Sequence, residues 1–180
     1  MKTMSKKTNG APTARSPKSV PAPPAASTEY QVILVPLDFS APSERALAHA
    51  ARLARDGSGK LILLHVVEPI VPSNLAVASL VMEDDKVAAA CRAHLDEIVR
   101  RHKLGAGLVE KVLVRFGRAY HEICDAATTL RADLIVISTH GYTGLKHVLL
   151  GSTAERVVRH APCPVLVIRD KAPAGRRKAS

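Results

Sequence analysis

Alternating apolar runs and amphipathic segments predict an α/β domain, a doubly wound parallel sheet with helices on both faces. Three observations lead there. Five short runs, at residues 31–36, 60–67, 108–116, 133–139 and 164–169, are rich in Val, Leu and Ile with little alternation, as strands covered on both sides must be. The segments between them place apolar residues at helical spacing. A glycine-punctuated loop, 138–152, joins the fourth run to the last helix, the usual recipe for a phosphate-holding strand–loop–helix unit.

Each element follows from local chemistry. The first strand breaks at Pro36, which has no N–H for a ladder. Ser40 caps the next helix, and Pro42 sits in its first turn, where a missing N–H is no loss. Leu47, Ala50, Ala51 and Ala54 form one face of that helix, which stops near Gly57 and Gly59. After the second strand comes a proline-bracketed loop reaching to about Leu80. Its apolar stretch, 70–82, reads as a lid, a dimer contact or a folded-down loop. Glu83, Asp84 and Asp85 open a long second helix, where acids suit the dipole, and Val87, Cys91, Leu95, Ile98 and His102 form its core face. Gly117 turns the chain between the third strand and a third helix at 118–130. Ser152-Thr153-Ala154-Glu155 reads as a capping box opening the fourth helix, 152–160.

The 180 residues fit one domain with a real core; at 47% apolar but 3% aromatic and without Trp, that core is Val, Leu, Ile and Ala. No apolar run approaches the ~18 to 20 residues of a membrane span, and the N-terminus lacks the apolar core of a secretory signal. The formal charge of +10 sits mostly at the ends: residues 1–28 contribute +5 and 170–180 contribute +3, leaving +2 for 29–169. The domain itself is therefore nearly neutral, and basicity says little about its face. Residues 1–28, rich in Pro, Ala, Lys and Ser, and 170–180 are expected to be disordered basic tails flanking a domain at 29–169. Solvated linkers are the expectation for both; contact with nucleic acid or a membrane surface is the weaker alternative. Cys91, Cys124 and Cys163 are scattered and show no metal-ligand spacing, which fits buried thiols in a reduced, cytoplasmic compartment.

In open α/β sheets the ligand crevice lies beyond the carboxyl ends of the strands. Pro36, Leu37 and Asp38 fall there after the first strand, Val66 near the end of the second, and Thr139, His140, Gly141 and Gly144 after the fourth. Gly151, Ser152 and Thr153 then supply helix N-terminal amides with partial positive charge. Asp38 is the carboxylate placed to accept from a ribose or a base, or else serves as a turn residue or helix acid.

The stretch Val35-Pro36-Leu37-Asp38-Phe39-Ser40, followed by Ser43-Glu44-Arg45-Ala46-Leu47, resembles the opening of the universal stress protein family. Residues 138–168, including Ala161-Pro162-Cys163-Pro164-Val165-Leu166-Val167, resemble that family's close, so the likeness spans about 29–169. The resemblance implies a five-stranded parallel sheet of order 3-2-1-4-5 and a homodimer formed through the last strand, here Val165, Leu166, Val167 and Ile168. It also implies ATP, or AMP or ADP, as ligand, with Mg arriving on the nucleotide and no protein metal ligand. The family's motif is Gly, two residues, Gly, nine residues, Gly, then Ser or Thr. Here Gly141, Gly151 and Ser152 match, and Ser138 replaces the first Gly. By this likeness Gly141, Gly151, Ser152 and Thr153 meet the phosphates, while Asp38 and Val66 lie by the ribose and adenine. If position 138 requires positive φ or very close approach, the serine strains the site by about 1 kcal/mol or more. If it is ordinary extended strand, the serine adds a donor.

Catalysis is not indicated. His140 and His147 flank the loop without a Ser/His/Asp set or a spaced carboxylate pair, and Lys146 is not part of a Walker A motif. The remaining histidines read as packing or surface residues. The expected function is regulatory nucleotide binding in a stress response, with at most slow ATP hydrolysis. The alternatives are an interaction module without nucleotide affinity and a small ATP-using enzyme.

Overall fold

A computed structural model describes residues 30–68, 81–105, 107–139 and 150–169. The expected tails and the loop glycines Gly141 and Gly144, with His140, lie outside the described residues, as does most of the stretch 70–82. The elements run β1 (Val32–Pro36), α1 (Ala41–Asp56), β2 (Lys60–Val67), α2 (Val81–Arg101), β3 (Val109–Phe116), α3 (Ala119–Thr129), β4 (Leu134–Ser138), α4 (Ser152–His160) and β5 (Val165–Ile168).

The five strands form one parallel sheet in the order β3-β2-β1-β4-β5. Leu34 of β1 pairs with Ile62 on one side and Ile135 on the other, so β1 is the central strand. The chain winds outward through β2 and β3, then returns across the sheet to place β4 on the other flank of β1. That reversal opens a crevice beyond the carboxyl ends of β1 and β4.

Strand alternation divides the core into two layers. Ile33, Val35, Leu61, Leu63 and Val136 pack against Leu47, Ala50 and Ala54 of α1 and Leu95 and Ile98 of α2. Leu34, Ile62, Leu64, Ile135 and Ile137 pack against Ile123, Ala126 and Ala127 of α3 and Ala154 and Val157 of α4. Each wholly buried Leu or Ile contributes roughly 1.5–3 kcal/mol, and the alanines let the helices lie close to the sheet. Gly59 makes the entry to β2 possible: a Cβ there would stand 2.1 Å from the Tyr30 carbonyl oxygen. Asp133 fastens the start of β1 by accepting from the Gln31 and Val32 amides at 3.0 and 2.9 Å through Oδ2.

Ser40 caps α1 as expected, accepting from the Ser43 amide at 3.3 Å, with Pro42 in the first turn and Gly57 at the end. Two expectations are corrected. The core stripe of α2 is shorter than its periodicity implies: Leu95 and Ile98 are fully buried, but Val87 is 40% exposed and Cys91 and His102 are half-buried. Among the described side chains of α2, the buried ones, Leu95 and Ile98, lie in its C-terminal half, and His102 binds Glu44 of α1 through Nε2 at 2.9 Å instead of entering the core. The capping box does not form either. Gly151 is the N-cap of α4 with no side-chain cap bond, Ser152 is already helical, and Glu155 pairs forward with Arg159 at 2.8 Å. A glycine N-cap has no hydroxyl to complete the box, and the arginine one turn on takes the carboxylate instead.

Candidate functional site

A cavity of about 390 Å³ sits at the switch point, within the range of small-molecule pockets. Leu64, Val66, Ile123 and Ile137 give it an apolar floor. Asp38 and Glu68, from the ends of β1 and β2, line it from one side, and Ser138, Thr139 and the first turn of α4 from the other. Apolar floor and polar rim suit a ligand with a flat hydrophobic part and hydrogen-bonding appendages.

The corner after β1 is held from several directions. The Leu37 amide donates to Leu64 O at 2.8 Å, and the Leu37 carbonyl accepts from His65 Nδ1 at 2.7 Å. A carbonyl can only accept, so Nδ1 carries the proton. Phe39 follows with a φ of 65°, and its ring lies between His65 and His94, with centroids 4.0 and 4.2 Å away. Asp38 uses Oδ1 for the turn, accepting from Ser40 N at 3.1 Å and Ser40 Oγ at 2.5 Å. Its Oδ2 has no partner among the described residues, so one oxygen serves the fold and the other stays available at the cavity. The turn role and a ligand role are therefore compatible in one carboxylate.

Three helices begin at this edge, and they are capped differently. Ser40 satisfies α1, and Glu68 Oε1 accepts from the Ala119 amide of α3 at 2.7 Å. At α4 the first helical bond is Glu155 N to Gly151 O at 2.9 Å, and the amides of Ser152, Thr153 and Ala154 have no partner among the described residues. These three residues line the cavity. Unspent amides at the positive end of a helix dipole favour an anion there.

Both ends of the intervening loop are pinned. The Thr139 amide donates to Ile168 O of β5 at 3.0 Å, and the Gly151 amide donates to Thr139 O at 2.7 Å. Ser138 ends β4 in register with Ile168, with ordinary extended backbone. It is 7% exposed and faces the cavity. The positive-φ condition for strain at this position is not met, and its side chain forms part of the wall.

Of the residues singled out from sequence, Pro36, Leu37, Asp38, Val66, Thr139, Gly151, Ser152 and Thr153 come together around this one cavity. His140, Gly141 and Gly144 fall in the undescribed loop. Sequence reasoning passed over Glu68, Ser43 and Ala119. Glu68 follows β2 just as Asp38 follows β1, and that equivalence was the available signal. Ser43 Oγ is spent on Ser40 O at 2.9 Å.

Among the described residues no cluster of three or more His, Cys, Asp or Glu could hold a metal, and no helix is long and apolar enough to cross a membrane. The three cysteines are free thiols away from the cavity. Burial pushes all three up from the usual thiol range, and the nearby Asp133 and Cys124 push Cys163 further.

Residues 29–169 match the profile of the universal stress protein family. A universal stress protein of Thermus aquaticus is 34% identical over 142 residues, covering 78% of this chain and 99% of its own. The structure of universal stress protein UspA from Lactobacillus plantarum superimposes with a TM-score of 0.69 at 30% identity, covering 78% of this chain and 99% of that one. A universal stress protein crystallised in complex with cAMP is similar at 26% identity and a TM-score of 0.56, covering 79% and 98% of the two chains.

Proposed function

This chain belongs to the universal stress protein family, and on that premise we propose that its cavity binds an adenine nucleotide, with ATP the principal candidate and AMP or ADP the alternatives. One observation carries the reading: the first turn of α4, uncapped among the described residues, lines a cavity of about 390 Å³ together with a carboxylate that has one oxygen without a partner among those residues. Phosphate at the amides of Ser152 and Thr153, ribose at Asp38 Oδ2 and base over Val66 would use each feature once. The relative that binds cAMP supports an adenine nucleotide as the ligand class. Gly151, Thr139 and Pro36 shape the cavity, and His140, Gly141 and Gly144, which follow β4 in the sequence, are proposed as further nucleotide contacts. Any Mg would arrive on the nucleotide.

The role is binding and regulation. The cavity is lined by carboxylates, hydroxyls and amides, with no nucleophile and paired base assembled among its described residues. β5 is the sheet's edge, and Leu166 is 38% exposed on it, which supports a homodimer formed through Val165, Leu166, Val167 and Ile168. Because the Thr139 amide is bonded to Ile168, a nucleotide held against Thr139 would bear on that edge and on what docks there. The basic segments 1–28 and 170–180 would be tails of this domain in a cytoplasmic protein. A second reading, an interaction module without nucleotide affinity, rests on the Ser138 side chain in the cavity wall.

Isothermal titration with Mg-ATP, ADP and AMP, joined to mass spectrometry of ligand released from freshly purified protein, tests the proposal. We expect saturable binding below millimolar concentration. No heat, no competition among the three at millimolar ligand and no copurified nucleotide would overturn it.

A further inference from the structure

A second cavity opens beside the first. This groove of about 360 Å³ runs along the exposed face of α4, with Tyr120 at the start of α3 beside it, and is lined by Tyr120, Ser152, Glu155, Arg156, Arg159 and His160. Ser152 lines both cavities, so the two adjoin at the N-terminus of α4. The charges in the groove do not cancel. Arg159 is paired with Glu155 at 2.8 Å, whereas Arg156 has no carboxylate partner among the described residues. Its guanidinium carbon lies 5.1 Å from the centre of the Tyr120 ring. His160, one turn beyond Arg156 on α4, also lines the groove, its ring centre 6.2 Å from that of Tyr120.

Stacking occupies the face of a guanidinium and leaves its in-plane N–H donors free, already oriented by the ring. Arg156 is four residues beyond Ser152, about one turn or roughly 6 Å along the helix. A phosphate held by the first-turn amides would spend them on itself; a second or third phosphate leaving over Ser152 would meet Arg156 next. The groove presents donors and positive charge, and the arginine already covers one face of Tyr120.

We propose that this groove takes the polyphosphate tail of the nucleotide, and that Arg156 determines preference for di- and triphosphates over monophosphates. The inference rests on the nucleotide reading of the first cavity. A charge-assisted, bidentate contact to phosphate is worth on the order of tenfold in affinity or more, and a monophosphate cannot reach it.

Titration of AMP, ADP and ATP against the wild type, Arg156→Gln and Arg159→Gln tests this, with circular dichroism melting to confirm folding. Arg156 is exposed, so the fold should be unchanged. The expected result is ATP tighter than AMP by tenfold or more in the wild type, that ratio falling toward one in Arg156→Gln. AMP affinity should stay within about twofold, and Arg159→Gln should have a smaller effect because that arginine is already paired. AMP and ATP binding equally to the wild type, or equal weakening of both by Arg156→Gln, would overturn the inference while leaving the nucleotide site standing. Binding of neither would remove both.

Discussion

Replacing Asp38 separates its two oxygens. Oδ1 accepts from the amide and hydroxyl of Ser40, which itself caps α1, whereas Oδ2 faces the cavity without a partner among the described residues. Asp38→Ala removes both bonds of Oδ1 and loosens the cap. At roughly 0.5–1.5 kcal/mol per hydrogen bond, the loss is about 2 kcal/mol, or some 4–8 °C in melting temperature for a domain of this size. Asp38→Asn keeps an acceptor for Ser40 and exchanges the free oxygen for an NH₂ group. Its stability should stay within about 0.5 kcal/mol of the wild type, while a ribose hydroxyl loses a charged acceptor, about 1.4 kcal/mol or tenfold in nucleotide affinity. Thermal melting by circular dichroism and titration with ATP read the two effects independently. If Asp38→Asn binds ATP like the wild type, Oδ2 does not receive the ribose; if it melts as low as Asp38→Ala, the division of labour between the oxygens is wrong.

Ser138→Gly removes a side chain from extended strand, so it should lower stability by about 0.5–1 kcal/mol and relieve no strain. A raised denaturation midpoint would contradict the strand geometry. Gly59→Ala drives a Cβ to 2.1 Å from a backbone oxygen that cannot rotate away. It should cost at least about 2 kcal/mol in chemical denaturation, and a change under 0.5 kcal/mol would show that the Tyr30 carbonyl moves freely. Burial raises the pKa of Cys91, Cys124 and Cys163, with Asp133 and Cys124 adding to the effect at Cys163. Alkylation by iodoacetamide at pH 7 should be slower in the folded protein than in denaturant, and its midpoint should shift to higher pH. Because the folded pKa exceeds the unfolded one, the linked stability is complete below the ordinary thiol pKa and fades as pH rises through the folded value. Folded-state alkylation at neutral pH faster than that of the unfolded chain would refute the assignment.

The fold was legible where the signal is local. Residues 60–67 and 152–160 coincide with β2 and α4 because an unbroken apolar run and a short amphipathic stretch each have one reading. The cavity was legible in Asp38, Val66, Gly151 and Ser152, which all sit at strand ends or a helix start. Glu68 was not, because its work is non-local: it caps α3, fifty-one residues away, only because β2 is laid beside β3. Val87 fails for a related reason. Periodicity identifies a face on α2 but says nothing of whether the sheet extends far enough to cover it. Nor does any residue pattern announce the positive φ of Phe39, whose ring lies between those of His65 and His94 from two other elements.

The difference that matters most is a shift of one residue at α4. With Ser152 as N-cap, its hydroxyl would accept from the amide of Glu155, and the glutamate would reach back to the Ser152 amide. The first turn would then be satisfied from within, and a carboxylate would stand where an anion is expected. With Gly151 as N-cap there is no side chain to do this, Glu155 turns away to Arg159, and three amides at the cavity are without a partner among the described residues. Glycine costs only a few tenths of a kcal/mol more than serine as an N-cap, a small penalty beside the charge-assisted bonds a phosphate would form there. The same residues in the same order thus make either a self-contained helix start or an anion site. The position of Gly151, fixed by its bond to Thr139, decides between them.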